Sequence, residues 1–593
     1  MKKLLTVLLA VMMLCGLAGC GAKENPAPVK LDASAAKAYS MDLSNIEGYE
    51  DYVVTDGTWA ETYDEIIALS KKEADAEKRT ALYHAAEDLL MDTGCIVPIY
   101  YYTDLFMLNK GVEGYFSTPL GMKYFTYTTV DGATDNISIN LSSEPDTIDP
   151  AAVSAVDGGT IVNHMFAGLI GRASDGSLVP NCAKKFPVAK ANEDGTTTYV
   201  FELKDGLVWS DGEPLKASDF EYAWKRASMD CFDYGYLFEV IDGYDGQGNL
   251  NVTADDDKNT LTVVLPVDVP YFFELCAFQT YAPVRKDCVG DDPTNSDWAV
   301  DLSTYIGNGA YVLDSWTHDS VMVFKKNDKY WDAKNVTMQQ ITNYLSDDDV
   351  TILGWYKDGT CNFIDSVPND EIATLKADYP DEFIIEGQLG TYYVIFNNDY
   401  DLLPAEVSEG MSLEEKVKAN NEIRKAISLI YDRNYVVEEI GQAGQLPASS
   451  FVSMGITNAD GSQFYETAGG NSFPGYYDVS EEAFADNCAA ALETLSKYYE
   501  VKDGKLVNFP TITYLYNTGT GHQSIGEYLQ SAMANYGITT KLENQEWATF
   551  LQTRKDGNFT IARNGWLADY NDAISYLDMW TTVSGNNDAQ FGK

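Results

Sequence analysis

Apolar positions along this chain repeat at helical spacing in some stretches and alternate like strands in others. From about Asp75 to Met91, Leu82, Ala86 and Leu89 fall on one face and Gly94 suits the end, which predicts a helix. Thr62 and Glu65 fit a capping box opening a helix just before it. Ile96–Tyr102 is then a strand, with Pro98 placing it near an edge or at a strand start. Ile137–Leu141 and Tyr199–Leu203 read as strands, and Thr391–Phe396 is rich in strand formers. Ser218 and Glu221 form a second capping box, followed by Phe220, Ala223, Trp224 and Ala227 on one helical face. Ser412 and Glu415 form another, with Ile423, Ile427 and Ile430 as the buried stripe. Ile525, Leu529, Ala532 and Tyr536 make one more helix, closed by Gly537, with a strand at Ile538–Leu542. Helices and strands alternate through most of the chain, which predicts an α/β architecture with mixed sheets.

The first residues follow a different rule. Lys2-Lys3 precede the apolar stretch Leu4–Leu14, and Leu17-Ala18-Gly19 lead to Cys20. A basic start, a short apolar core and small residues before the cut make a secretory signal peptide over 1–19, too short to span a bilayer as a helix. The cysteine at the cut resembles a bacterial lipobox. That resemblance implies cleavage before Cys20 and lipidation of its sulfur, so that membrane lipid holds the chain through acyl groups. Localisation is then the extracellular face of the cell membrane or the periplasm. Residues 21–40, rich in Ala, Pro, Lys and Asn, read as a flexible tether.

Composition narrows the partners. A net charge of −49 repels nucleic acid and anionic lipid surfaces. Forty tyrosines and ten tryptophans suit a protein that clamps ligands, although most must fill cores. With Cys15 and Cys20 set aside, an odd number of cysteines remains, without a CxxC. Cys276 and Cys288 are spaced to close one small loop or to stay apart. The histidines His84, His164, His318 and His522 are scattered, with no HExxH, Walker loop or GxSxG elbow. Asp242–Asp257 lacks the regular calcium-ligand spacing and reads as a solvated loop. No catalytic residue, metal ligand or cofactor is assigned, and hydrolase chemistry is a distant alternative.

Several segments together resemble one family. Ser143-Glu144-Pro145-Asp146-Thr147-Ile148-Asp149-Pro150 is similar to the opening of extracellular oligopeptide-binding proteins of ABC transporters, solute-binding protein family 5. Asp205-Gly206-Leu207-Val208-Trp209-Ser210-Asp211-Gly212-Glu213-Pro214-Leu215 resembles their most recognisable motif, and Ser218-Asp219-Phe220 continues it. Asn308-Gly309-Ala310-Tyr311, Asn327–Asp332, Asn421–Asn434, Gly565–Asp572 and Gly585–Asp588 follow in family order. The family's C-terminal segment resembles Tyr63–Ile67, the Lys78-Arg79 helix, Ile96–Tyr102 and Gly111–Gly114, which here precede the opening motif. The chain therefore reads as a circular permutant, with Asp131-Gly132-Ala133-Thr134-Asp135 joining the family's old ends. A rearranged gene and segment exchange between neighbouring chains are the other readings.

The resemblance implies a two-lobed, periplasmic-binding-protein type II fold with an extra domain. Its expected division is 20–62 lipidated cysteine and tether, 63–103 the family's C-terminal part of lobe 2, 104–160 the first part of lobe 1 with the permutation linker near 131–136, 161–284 the extra domain, 285–390 the second part of lobe 1, and 391–593 lobe 2. It implies a monomer that closes its lobes on oligopeptides and delivers them to an ABC permease and its ATPase. The same fold carrying a nickel complex, haem or an oligosaccharide is the alternative, as is a peptide-sensing lipoprotein. Asp569, in Trp566-Leu567-Ala568-Asp569-Tyr570, is the residue expected to pair with the peptide's α-ammonium. Ala573 stands where a proline is common. Trp566 and Tyr570 either line the pocket or pack the core, and Thr391, Tyr392 and Tyr393 begin a strand expected at the cleft wall. Glu144 completes the expected ligand-binding set. Trp209 is expected in the core.

Overall fold

The computed structural model describes residues 25–49, 53–141 and 143–593. The signal peptide and Cys20 lie outside them. Helix α1 (Trp59–Lys72) opens one turn earlier than the sequence pattern predicts. Thr58 Oγ1 accepts from Glu61 N at 3.2 Å, and Glu61 returns a bond to Thr58 N at 2.9 Å. Thr62 is then inside the helix, its hydroxyl donating back to Thr58 O. Helix α2 (Ala76–Asp92) is capped by Asp75 and ends where Gly94 takes φ 66°. A Cβ there would lie 2.9 Å from Asn421 O, so the helix end and its neighbour require glycine.

An eleven-stranded mixed sheet holds the molecule together. Its main strands are β1 (Ile96–Leu108), β2 (Ile137–Asn140), β3 (Tyr311–Thr317), β4 (Val321–Lys326), β5 (Gln340–Tyr344), β6 (Phe363–Ile364), β7 (Phe383–Phe396), β8 (Ile512–Asn517), β9 (Thr540–Gln545) and β10 (Ile561–Leu567). The spatial order is β3-β4-β5-β2-β6-β1-β7-β10-β8-β9, and Leu446–Pro447 also pairs with β1. The long antiparallel strands β1 and β7 connect the two halves of this sheet. Phe383–Gly387 pair with Thr103–Met107, then the register shifts and Thr391–Ile395 pair with Ile96–Tyr101. Strand β1 is thus central rather than an edge. Pro98 is tolerated near its start, where the register shifts again opposite Tyr393.

A separate four-stranded sheet contains Thr197–Glu202, Thr260–Leu265, Val252–Asp255 and Lys190–Ala191. Between them in sequence, Ala217–Ala227 forms a helix capped through Asp219, whose carboxylate accepts from Lys216 N at 2.9 Å. The expected cap, Ser218, instead bonds Asp256, and Glu221 holds Lys225 and Ala254 N. Asp219 lies at the position from which a carboxylate reaches back to the cap amide, so it displaces Ser218 from that role. Trp209 is buried and donates to the same carboxylate at 3.2 Å. Asp149 of the opening motif is buried against Arg226, with bonds of 2.8 and 2.5 Å, which ties the separate sheet's helix to the motif.

Further along, the Ser412–Glu415 capping box forms as predicted and starts the helix Leu413–Leu429. Ile538 N bonds back to Met533 O at 3.1 Å, which closes the helix Thr520–Asn535, so strand β9 begins only at Thr540.

Other segments depart from the expected linkers. Residues expected as a tether are laid onto the fold: Val29–Lys30 pairs with Tyr400–Asp401, and Thr511 N donates to Pro26 O. Tyr39–Asp42 pairs with Val53–Gly57, which leads into α1. Asp131 and Gly132 take φ of 51° and 78° between Val130 and Ala133, which exchange two 2.9 Å bonds. Both central residues at positive φ make this a tight type I′ hairpin turn rather than a loose bridge. Cys276 and Cys288 are free thiols, as are the other described cysteines. At the far end, Phe591 stacks on Trp59 at 3.9 Å, and Thr582 bonds Asp64.

Candidate functional site

Strand β10 builds the site. Its burial alternates with the strand period, so Arg563, Gly565 and Leu567 are less buried than Ala562, Asn564 and Trp566. The run from Arg563 to Asp569 lines a cavity of about 320 Å³. A second cavity of about 450 Å³ shares Tyr102, Lys123, Asp365 and Arg563 with it, so the two form one cleft between the sheet halves. Strand β10 pairs with β8 only at Ile561 and Ala562, and beyond them that edge has no strand partner. Gly565 keeps the backbone open: a Cβ would stand 2.2 Å from Tyr102 Oη.

Asp569 follows the strand. Its Oδ1 accepts from Tyr234 Oη at 2.8 Å, and its amide donates to Ser575 Oγ at 2.7 Å. Its Oδ2 is buried without a hydrogen-bond partner. Burial pushes this carboxyl well above the usual range, against the pull of the Tyr234 hydrogen bond. Arg563 lies over the rings of Tyr392 and Trp547, 5.4 and 5.8 Å from their centroids. Its Nε is buried without a partner, and among the described residues no carboxylate lies within ion-pair distance. Lys123, in contrast, is held between Asp104 at 2.9 Å and Asp365 at 3.0 Å. His522 stacks against Tyr392, and burial with Arg563 nearby lowers its pKa well below the ordinary value, so it is neutral.

Side chains bridge the two sides of the cleft. Besides Tyr234 and Asp569, Tyr271 stacks on Tyr570 at 5.1 Å. Lys71 lies 2.6 Å from Glu239 and 3.6 Å from Asp578. Lys555 reaches Ser154 at 2.9 Å and the Asp233 carboxylate.

Of the residues expected from sequence, Asp569 and Trp566 line the cavity, with Trp566 Nε1 donating to Ser575 O at 2.7 Å. Tyr392 is fully buried behind them, stacked on Tyr100 at 4.8 Å and under Arg563, so it supports the wall rather than forming it. Tyr393 packs edge-on against Phe451 and Trp580, and Thr391 Oγ1 donates to Phe451 O; both are core. Phe451 and Trp580 cover this part of β7, which closes both side chains off from the cleft. Tyr570 is buried against Tyr271. Glu144 lies outside both cavities. Its carboxylate accepts from Asp319 N at 2.9 Å and meets His318 at 2.5 Å, holding the β3–β4 turn.

Arg563, Tyr234, Tyr102 and Trp547 were not expected. Arg563 carried a signal: a charge in an otherwise apolar strand, in phase with Gly565. Tyr234 comes from a distant segment and carried none.

The chain has counterparts among known proteins. A model described as bacterial extracellular solute-binding proteins, family 5 Middle, matches residues 177–588. The oligopeptide-binding protein OppA of Bacillus subtilis is 30% identical over 468 residues, 76% of this chain and 78% of that protein. The periplasmic oligopeptide-binding protein OppA of Salmonella typhimurium is 29% identical over 466 residues, 76% of this chain and 78% of its own. Among solved structures, OppA of Burkholderia pseudomallei matches with a TM-score of 0.63 at 28% identity, covering 77% of this chain and 85% of that one. OppA of Haemophilus influenzae in complex with RPPGFSPFR gives the same TM-score, identity and coverage. On this evidence the chain belongs to the bacterial extracellular solute-binding proteins of family 5.

Proposed function

We propose that this protein captures short peptides in the cleft by closure of its two halves and passes them to an ABC importer. One observation carries the reading: a buried carboxylate, Asp569, and a half-buried guanidinium, Arg563, each lack an ionic partner among the described residues and flank an unpaired strand edge. A peptide offers the complement, an ammonium at one end, a carboxylate at the other and main-chain groups between. Main-chain pairing gives affinity to many sequences alike. The peptide-binding relatives support this reading, as does the register shift between β1 and β7, a natural hinge. Attachment through lipidated Cys20 belongs to the same proposal. Replacing Cys20 by serine would then release the protein from membranes, and retention of that variant would argue against the anchor.

The rearranged order is part of the reading. The relatives match over about three quarters of both chains, while β1, from the segment preceding the match to the family model, sits at the centre of the sheet. The stacking of Phe591 on Trp59 places the two segments side by side.

Native mass spectrometry of protein purified without refolding tests the function. A monomer carrying a series of co-purified peptides is expected. A folded protein carrying a metal complex or a sugar would overturn the peptide reading.

A further inference from the structure

Most ionised side chains lining the smaller cavity already have partners. Lys123 is shared by Asp104 and Asp365, Arg172 pairs with Glu274 at 2.5 Å, Arg554 with Asp588 at 2.6 Å, and Lys555 with Asp233. Arg563, Asp569 and Asp157 are left. A zwitterionic peptide satisfies the first two with its own termini. Asp157 then remains, and a peptide main chain offers it neutral N–H donors but no cation.

Asp157 stands in the first turn of α3 (Val156–Met165) and lines the cavity together with Trp547 of the helix Trp547–Lys555. Among the described residues its buried Oδ2 has no partner within bonding distance, and the Trp547 indole N–H, likewise unpartnered, is the side-chain donor near enough to act on the carboxyl. Burial, reinforced by Asp146, pushes the carboxyl up to about 7, and Trp547 and nearby backbone amides act against the shift. A buried acceptor left unpaired is destabilising, and an arriving cation removes that penalty. A position in the first turn of a helix favours the anion once it forms.

Resting on the peptide reading above, we infer that the ligand brings a second cation, so the cleft selects peptides with a basic side chain that pairs with Asp157. Lysine, ornithine and arginine share the required chemistry. The selection concerns a side chain, so it adds specificity to contacts that otherwise ignore sequence.

Calorimetry on the purified protein tests this with tri- and tetra-alanine in which each position in turn is lysine or norleucine, its uncharged counterpart. At one position lysine should bind about tenfold or more tightly, the usual scale for a hydrogen bond to a charged group. In Asp157→Asn the lysine-to-norleucine ratio should fall to about one, and Asp157→Glu should restore part of it. Equal binding of lysine and norleucine peptides at every position of the unmodified protein would overturn the inference and leave peptide capture standing. That comparison needs no variant, so a poorly folding Asp157→Asn does not obscure it. A lysine preference that survives in a folded Asp157→Asn would also overturn it. Binding of neither series would overturn both this inference and the peptide reading.

Discussion

Asp569 is a carboxyl whose ionisation burial suppresses. In the proposed function a peptide ammonium would pair with the ionised form. Affinity should therefore rise with pH through the raised pKa of the free protein. It should fall again as the peptide's amino group loses its proton, ordinarily near about 7.7–8.0. Calorimetry across pH would reveal both limbs, and Asp569→Asn should flatten the lower one. Asp569→Ala should weaken binding by ~1.5–3 kcal/mol, and acetylated peptides should bind worse than free ones. Glu87 poses a separate question of stability. Its carboxylate is fully buried and accepts from Phe451 N and Val452 N at 2.9 and 2.8 Å. Burial nevertheless raises its pKa from 4.5 to about 8. The folded state then favours the protonated acid, so its contribution is full below 4.5 and is lost as pH rises toward 8. Glu87→Gln keeps the acceptor without the charge. Its melting temperature should decline less than that of the unmodified protein between pH 5 and 8.

At the scale of elements, the Asp131–Gly132 turn is the clearest local device. Gly132 at φ 78° takes a conformation that costs other residues about 1–2 kcal/mol, so Gly132→Ala should lower stability by about 1 kcal/mol in denaturant titration. Peptide affinity should not change, because the turn lies outside both cavities. Helix caps were partly legible. Ser412–Glu415 is where its pattern put it, while Thr62–Glu65 and Ser218–Glu221 lost to Thr58–Glu61 and Asp219. Short cap signals recur every few residues in a polar stretch, and the packing of the whole helix decides which one is used. Strand β10 shows the same division. Its apolar character is local, but which face meets the cleft depends on β7 beside it.

For the whole molecule, closure predicts that peptide binding lowers the radius of gyration in small-angle scattering, the bonds of Tyr234, Lys71 and Lys555 across the cleft marking the closed arrangement. An unchanged profile on saturation would argue against a moving cleft. The rearranged order predicts that a chain with residues 59–130 moved behind residue 593 folds to the same melting temperature and binds the same peptides. Loss of folding would show that this order is required. The alternation of helices and strands and the family motifs were fixed by local patterns, because periodicity and short motifs need no distant partner. The Asp569 motif was also legible in this way. The buried position of Thr391, Tyr392 and Tyr393, the diversion of Glu144 to His318 and Asp319, and the meeting of Tyr234 with Asp569 were decided only in three dimensions. Which side of a strand is covered, and which charge is left without a partner, depends on segments far apart in the chain. Sequence thus named the fold and one residue that lines the cleft, and tertiary structure chose which charges face it unpaired.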